Sequence, residues 1–360
     1  MNRTFRQRRR VLQAEIARRR LSGLLVTHPT SWYYLSGFSG EAGALLVMRR
    51  GAVLVTDGRF TAQAKKEAPG VRIALQKGSL TASLGGLLKM QGRLRIGFDA
   101  GQLTVAQLWG LRGASGGRVR WIAASGAVEA LRSRKEPGEI AQMRKAAVLV
   151  GKVLAGVLKL LKPGVRELEV AAEIEYQMRQ LGASGPAFES IVAFGERSAY
   201  PHARPTARRL RKNELVVLDL GAILGHYCSD ITRTVFVGRA PARIRQWYSA
   251  VQDAQAAAVA AIRAGVPCGD VDASARQVLA GYRLDRYFIH STGHGLGLEV
   301  HEEPRVARGQ KQTLVPGNVI TVEPGVYVPG VGGIRIEDDV VVHADRTEVL
   351  TRVPRDLIEI

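Results

Sequence analysis

Apolar and β-branched runs at residues 23–27, 44–48, 52–56, 95–98 and 119–122 are separated by polar or helix-patterned stretches. Runs of this length bounded by turn residues predict strands, and their alternation with helices predicts an α/β sheet domain. A charged bridge at 132–139 follows, containing Pro137 and Gly138. Beyond it, the apolar stripe over 139–161 predicts a long helix stopped by Pro163 and Gly164. The boundary is therefore expected near Ala130, with one domain over 1–130 and a second over 131–360.

The second part carries a faint internal echo. Pro163-Gly164-Val165 leads into a helical stretch with Glu167, Glu169 and Ala171, and about 101 to 103 residues later Ala264-Gly265-Val266 leads into one with Asp270, Asp272 and Ser274. Self-similarity of this kind predicts two related halves. Apolar runs at 215–220, 231–237, 319–322, 325–328, 334–336 and 340–342 predict strands after each half. The arrangement expected from them is α+β, an antiparallel sheet with a helix pair on each side.

Composition narrows the setting. Of 360 residues 46% are hydrophobic, yet no apolar run approaches the roughly 18 to 20 residues that a membrane-spanning helix needs. That excludes membrane transport by a helical bundle, and no membrane partner is expected. Two cysteines, Cys228 and Cys268, are too few for a disulfide framework and lack the paired spacing of a structural zinc site. A reducing cytoplasm is the expected location. The net charge of +20 is uneven: residues 1–130 hold 21 basic and 6 acidic side chains, so the excess belongs to the first domain. Eight arginines fall within the first 20 residues. They read as one solvated helix face rather than a nucleic-acid site, because only Phe5 lies among them to stack on a base. The apolar stretch 24–26, followed by Pro29, is too short for a secretory signal.

Candidate chemistry lies in the second domain. If VVLDLGAILGHYCSDITRTVFVG is a hairpin turning at Leu224-Gly225, Asp219 faces Asp230. Like charges directly opposite are destabilising unless a cation lies between them. Either aspartate taken singly reads as readily as a strand end or a turn cap. A second segment, ITVEPGVYVPGVGGIRIEDDVVV, repeats the device: alternation puts Thr321 and Glu323 on one face, and Arg335 and Glu337 on a face opposite Ile334 and Ile336. Four acids in apolar strand interiors would each cost several kcal/mol if buried unpaired, and two divalent cations would balance them. A third segment, HSTGHGLGLEVHEEP, supplies imidazoles in a glycine-rich, non-helical setting. Five of the seven histidines, at 202, 226, 290, 294 and 301, fall within this part of the chain. An oxygen-rich set with one imidazole favours a hard ion such as Mn²⁺ over the sulfur-rich or three-histidine sites typical of zinc.

The order Asp, Asp, His, Glu, Glu in LDLGA, SDITRT, TGHGLG, VEPGVY and GIRIED resembles metallopeptidase family M24, with its pita-bread fold, and within it the Xaa-Pro peptidases. The likeness extends to AYPHARPT around His202 and, in the first domain, to YYLSGFSG and VTDGRF, as in a creatinase-like N-terminal domain. The resemblance implies that Asp219, Asp230, His294, Glu323 and Glu337 hold two divalent metal ions, with Asp230 and Glu337 bridging both. Manganese is the expected metal, and cobalt or zinc the alternatives. It further implies that His202, His290, His301 and Arg335 bind substrate and steady the transition state, with Glu323 shuttling a proton. No ligand position departs from the family pattern.

The implied activity is hydrolysis between an N-terminal residue and a following proline, aminopeptidase P-like, with Xaa-Pro dipeptidase (prolidase) as the alternative. The expected partners are peptides with proline in the second position and, from the resemblance alone, a second copy of the chain in a homodimer. The rival from another class is a non-catalytic pita-bread binding protein that uses the basic first domain to meet nucleic acid or an acidic partner. The intact ligand set argues against it and against creatinase-like chemistry.

Overall fold

The computed structural model describes residues 2–89 and 92–360, and the chain divides into two compact units, 1–132 and 133–360. In the first, six strands form one mixed sheet: β1 (Gly23–Val26), β2 (Ala44–Met48), β3 (Ala52–Thr56), β4 (Arg72–Leu75), β5 (Leu94–Phe98) and β6 (Val119–Ala123), in the order β4-β3-β2-β1-β5-β6. Five of these were legible as apolar runs. β4 was not, because it is a partly exposed edge strand beginning with Arg72 and has little apolar face to bury. Leu25, Leu46, Ile96, Leu111 and Trp121 anchor the core beneath the sheet.

The arginine-rich start of the chain forms helix Asn2–Arg18. It is not simply a solvated face, because Arg8 and Arg9 are buried. Their guanidinium groups donate to the carbonyls of Tyr34 (3.3 Å) and Leu35 (2.7 Å) at the C-terminal end of helix Pro29–Ser36. Those carbonyls have no partner within their own helix, and the helix dipole favours a cation there. Arg6, Arg10, Arg18 and Arg20 remain exposed.

The second unit opens with helix Pro137–Leu158, shifted toward the N-terminus of the expected span. Pro137 suits the first helical position, and Glu136 and Glu139 cap each other reciprocally across it. The strands that follow are β7 (Gly185–Pro186), β8 (Ile191–Phe194), β9 (Glu214–Leu220), β10 (Ala222–Leu224), β11 (Tyr227–Cys228), β12 (Ile231–Val237), β13 (Gly293–Gly295), β14 (Glu302–Val306), β15 (Val319–Val322), β16 (Gly325–Val328), β17 (Gly332–Arg335), β18 (Asp338–Val342), β19 (Thr347–Val349) and β20 (Ile358–Glu359). They form a four-stranded sheet β20-β12-β9-β8, a five-stranded sheet β14-β13-β15-β18-β19, a small three-stranded sheet β11-β10-β7 and the β16–β17 hairpin.

The echo in the sequence corresponds to a repeated structure. After the first turn, Gly164 N–H donates to Leu210 O (2.9 Å) and Leu210 N–H to Val165 O (2.8 Å); after the second, Gly265 N–H donates to Leu314 O (2.8 Å) and Leu314 N–H to Val266 O (2.9 Å). Helices Glu167–Gln180 and Cys268–Gly281 follow. Helices Pro137–Leu158 and Glu167–Gln180 bury their apolar stripes against β8, β9 and β12. Helices Ala242–Ala261 and Cys268–Gly281 do so against β15 to β18. The result is a sheet-and-helix fold in two like halves, each of which brings two acids toward the middle.

Candidate metal centre

The β10–β11 hairpin turns at Gly225-His226, one residue later than expected, with Leu224 opposite Tyr227. Both turn residues have positive φ, 55° and 73°. A two-residue primed turn requires that, and Gly225 adopts it without a Cβ clash. The register therefore moves: Asp219, inside β9, faces Thr232 rather than Asp230. A two-residue shift keeps the face of every side chain, so both aspartates remain on one face. His226, in the turn, is not one of its residues.

Only Asp219 lies inside a strand. Asp230 immediately precedes β12, Glu323 follows β15, and Glu337 sits between β17 and β18. The expectation of four acids in strand interiors is thus corrected, for a reason of geometry. Carboxylates converging on one point from two sheets leave the ladders where the strands end. Polar contacts take the place of ladder bonds there: Asp230 N–H donates to Asp339 Oδ2 (3.0 Å), Glu323 N–H to Thr292 O (2.8 Å) and Glu337 N–H to Thr232 O (3.1 Å).

His294 occupies β13 between β14 and β15, and the flanking glycines explain how it fits. A Cβ on Gly293 would lie 1.9 Å from Thr321 O, and one on Gly295 2.3 Å from Glu303 O. The ring's Nδ1–H donates to Gly295 O (3.0 Å), which leaves the Nε2 lone pair free. Nε2 lies 3.5 Å from Glu323 Oε1 and 3.9 Å from Asp230 Oδ2. Donor atoms of Asp230, His294 and Glu337 all fall within 4.8 Å of one another.

The electrostatics are those of crowded, buried acids. Burial, then Glu337 and Asp219, push the Asp230 carboxyl well above the usual carboxylate range. Burial, then Glu323 and Asp219, do the same to Glu337. Glu323 is pushed up to about 8 by burial, against the opposing pull of Arg335. Burial lowers His294 to about 4, so its ring is neutral, the form that binds metal. The buried Oδ1 atoms of Asp219 and Asp230 have no hydrogen-bond partner. Unpaired carboxylate oxygens, clustered acids and a neutral imidazole lone pair together fit hard divalent ions.

Arg335 is buried beside this cluster. It donates to Asp219 Oδ2 (2.6 Å), to Thr232 Oγ1 (3.0 Å), to Tyr327 Oη (2.6 Å) and to Pro201 O (3.3 Å). His290 Nδ1–H donates to Ser291 O (2.8 Å), so Nε2 accepts from the Tyr327 hydroxyl (2.8 Å). Burial, then Arg335, lowers His290 to about 4. The His301 ring meets that of His294 edge-on at 4.3 Å between centroids. His202 and His301 lie toward the surface, and partial burial, then the neighbouring His202, lowers the pKa of His301. Sequence reasoning missed Tyr327, Thr232 and Asp339. Thr232 Oγ1 donates to Glu337 Oε2 (2.6 Å), and its position two residues after Asp230 in a strand-like run was the available signal.

Residues 141–344 match Metallopeptidase family M24 and residues 8–134 match the Creatinase/Prolidase N-terminal domain. The chain belongs to metallopeptidase family M24. Among M24 relatives it is 38% identical to an uncharacterized peptidase of Bacillus subtilis, over 94% of this chain and 96% of the relative. It is 42% identical to the Xaa-Pro dipeptidase of Pyrococcus furiosus, over 64% of this chain and 66% of the relative. The structure is similar to that of a Xaa-Pro dipeptidase from Bacillus anthracis, with TM-score 0.96 and 36% identity over 99% and 100% of the two chains. It is also similar to an X-Pro aminopeptidase from Thermotoga maritima, with TM-score 0.88 and 32% identity over 94% and 98%. These similarities support the α/β plus pita-bread architecture of an M24 metallopeptidase. No described helix is long and apolar enough to cross a membrane.

Proposed function

We propose that this enzyme hydrolyses the bond between an N-terminal residue and a following proline, with two divalent ions, Mn²⁺ for preference, held by Asp219, Asp230, His294, Glu323 and Glu337. Asp230 and Glu337 are the bridging pair in this reading. The observation that carries it is the buried cluster of acids around His294 Nε2, with two carboxylate oxygens lacking any hydrogen-bond partner. Divalent ions held by these residues would supply an acidified water, its pKa lowered from 15.7 toward about 7, and a Lewis acid for the scissile carbonyl.

The chain's own residues supply the remainder. Glu323 takes the proton released by the attacking water and delivers it to the proline nitrogen. That nitrogen is a tertiary amide without an N–H, so it leaves only when protonated. His301 or His202 donates to the oxyanion, a contribution for which about 2.7 to 4 kcal/mol is the usual scale. Arg335 fixes the orientation of Asp219 and, through Tyr327, of the neutral His290.

Peptide length divides the family. The expectation from the first domain is aminopeptidase P-like cleavage of longer chains, whereas the names of the Pyrococcus and Bacillus anthracis relatives support a dipeptide substrate. Comparing Ala-Pro, Ala-Pro-Ala and Ala-Ala-Ala with the Mn²⁺-loaded protein tests both points. Cleavage after the first residue of the proline peptides, with Ala-Ala-Ala nearly untouched, is expected. Hydrolysis of Ala-Pro alone assigns a dipeptidase, and equal turnover of Ala-Ala-Ala overturns proline specificity. The two free cysteines support a reducing cytoplasm, and the family resemblance a homodimer, which light scattering of the purified protein checks.

A further inference from the structure

Glu167 and Asp272 follow the two equivalent turns at Gly164 and Gly265, and both are buried, with 0% and 1% of their surface exposed. Each is the hub of a small network. Glu167 accepts from Phe194 N–H (3.0 Å), from the N–H (2.9 Å) and hydroxyl (2.6 Å) of Thr206, and from Arg197 Nε (3.1 Å). Arg197 Nη2 donates onward to Arg204 O (2.7 Å). Asp272 accepts from the N–H (3.2 Å) and hydroxyl (2.8 Å) of Thr292 and from Arg276 Nε (2.7 Å). Arg276 donates onward to Phe288 O (3.0 Å) and His290 O (2.6 Å).

The same device thus occurs once in each half: a buried carboxylate on a helix, a threonine held by both N–H and hydroxyl, and an arginine with a second grip on backbone carbonyls. The gripped segments, 200–210 and 288–292, are almost wholly outside the strand ladders and carry His202 and His290. Backbone bonds tie 206–210 to 164–168, and the stretch around His202 relies on other constraints, among which charge-assisted hydrogen bonds are the strong ones. Apolar packing would hold a helix in place at least as well as a buried ion pair, so the pair's use lies in fixing a particular geometry.

We propose that Glu167–Arg197–Thr206 and Asp272–Arg276–Thr292 are matched positioning clasps that set His202 and His290 for substrate. What the two histidines do there rests on the peptidase reading; that the clasps place them does not. Thr206→Val and Thr292→Val are similar in shape and remove the hydroxyl, which in Thr206 also accepts from Arg208 N–H (3.2 Å), while the matching Thr→Ser variants keep it. In the metal-loaded, full-length protein, each valine variant is expected to lower kcat/KM for a proline peptide about 10- to 100-fold, since a misplacement near 1 Å costs on the order of 10²-fold. Metal content should be unchanged, and the serine variants should return to near wild type. The ring NMR signals of His202 should move in Thr206→Val and those of His290 in Thr292→Val. Glu169→Ala, an exposed carboxylate on the same helix as Glu167, should leave both unchanged. Valine variants with wild-type kinetics and unmoved histidine signals overturn the proposal. So does an equal loss in the serine and valine variants accompanied by loss of metal. If the wild-type protein hydrolyses no proline peptide, the peptidase reading fails by itself, and the histidine signals still decide the clasps.

Discussion

Stripping the metals with a chelator and raising the pH from 5 to 8 should steadily destabilise the unit 133–360, and restoring Mn²⁺ should abolish that trend. Glu323 provides the magnitude. Its carboxyl ordinarily titrates near 4.5, and in the folded, metal-free site it is pushed up to about 8 by burial. Between those values the folded state holds a proton that the unfolded chain has released, so the free energy of unfolding falls as pH rises. The stability contribution is complete below about 4.5 and is lost as pH climbs through 8. At about 1.4 kcal/mol per pKa unit, the shift is worth on the order of several kcal/mol across that window, shared with the carboxylates that titrate together with Glu323. Asp230 and Glu337 are shifted in the same direction and add to the slope. With cations bound, the carboxylates stay ionised, and protons compete with metal instead, so stability should rise with pH. Calorimetry at about pH 5, 6, 7 and 8, with chelator and with Mn²⁺, reads the transition of this unit. Glu323→Gln should remove Glu323's share of the metal-free slope. A metal-free transition that is flat or rises with pH, or a slope unchanged in Glu323→Gln, would refute the reasoning.

Elemental analysis after Mn²⁺ loading should find close to two ions per chain. Asp230→Ala, which removes the proposed bridging carboxylate, should lower activity by orders of magnitude while the apolar strands on either side keep the thermal transition. In the first unit, Arg9→Leu keeps apolar volume but strands the Leu35 carbonyl, and should cost about 1.5 to 3 kcal/mol, the usual worth of a charged hydrogen bond, measured by urea denaturation.

The strands were legible where both faces are buried, as in β9 and β12, because such burial leaves its mark as a run dominated by apolar and β-branched residues. β4 lacked that mark because an edge strand buries little. The acids stood out for the same physical reason, since a carboxylate embedded among Val, Ile and Leu needs a partner that the local sequence does not contain. Their shared face survived an error in register because strand parity repeats every two residues, whereas Asp219's actual neighbour depended on the φ values that Gly225 and His226 adopt.

What the order of residues determined by itself was local: the apolar periods, the turns at Gly164 and Gly265, the helix caps, and the presence of acids where acids are costly. What only tertiary structure decided was which distant groups meet. Arg8 and Arg9 read as solvent-facing until a second helix brought its terminal carbonyls to them. Tyr327 joins Arg335 to His290, Thr232 joins Arg335 to Glu337, and Glu167 and Asp272 reach across to loops that carry histidines. A hydrogen bond depends on separations of about 3 Å between atoms that lie tens of residues apart along the chain, and no periodicity in the sequence encodes such a distance.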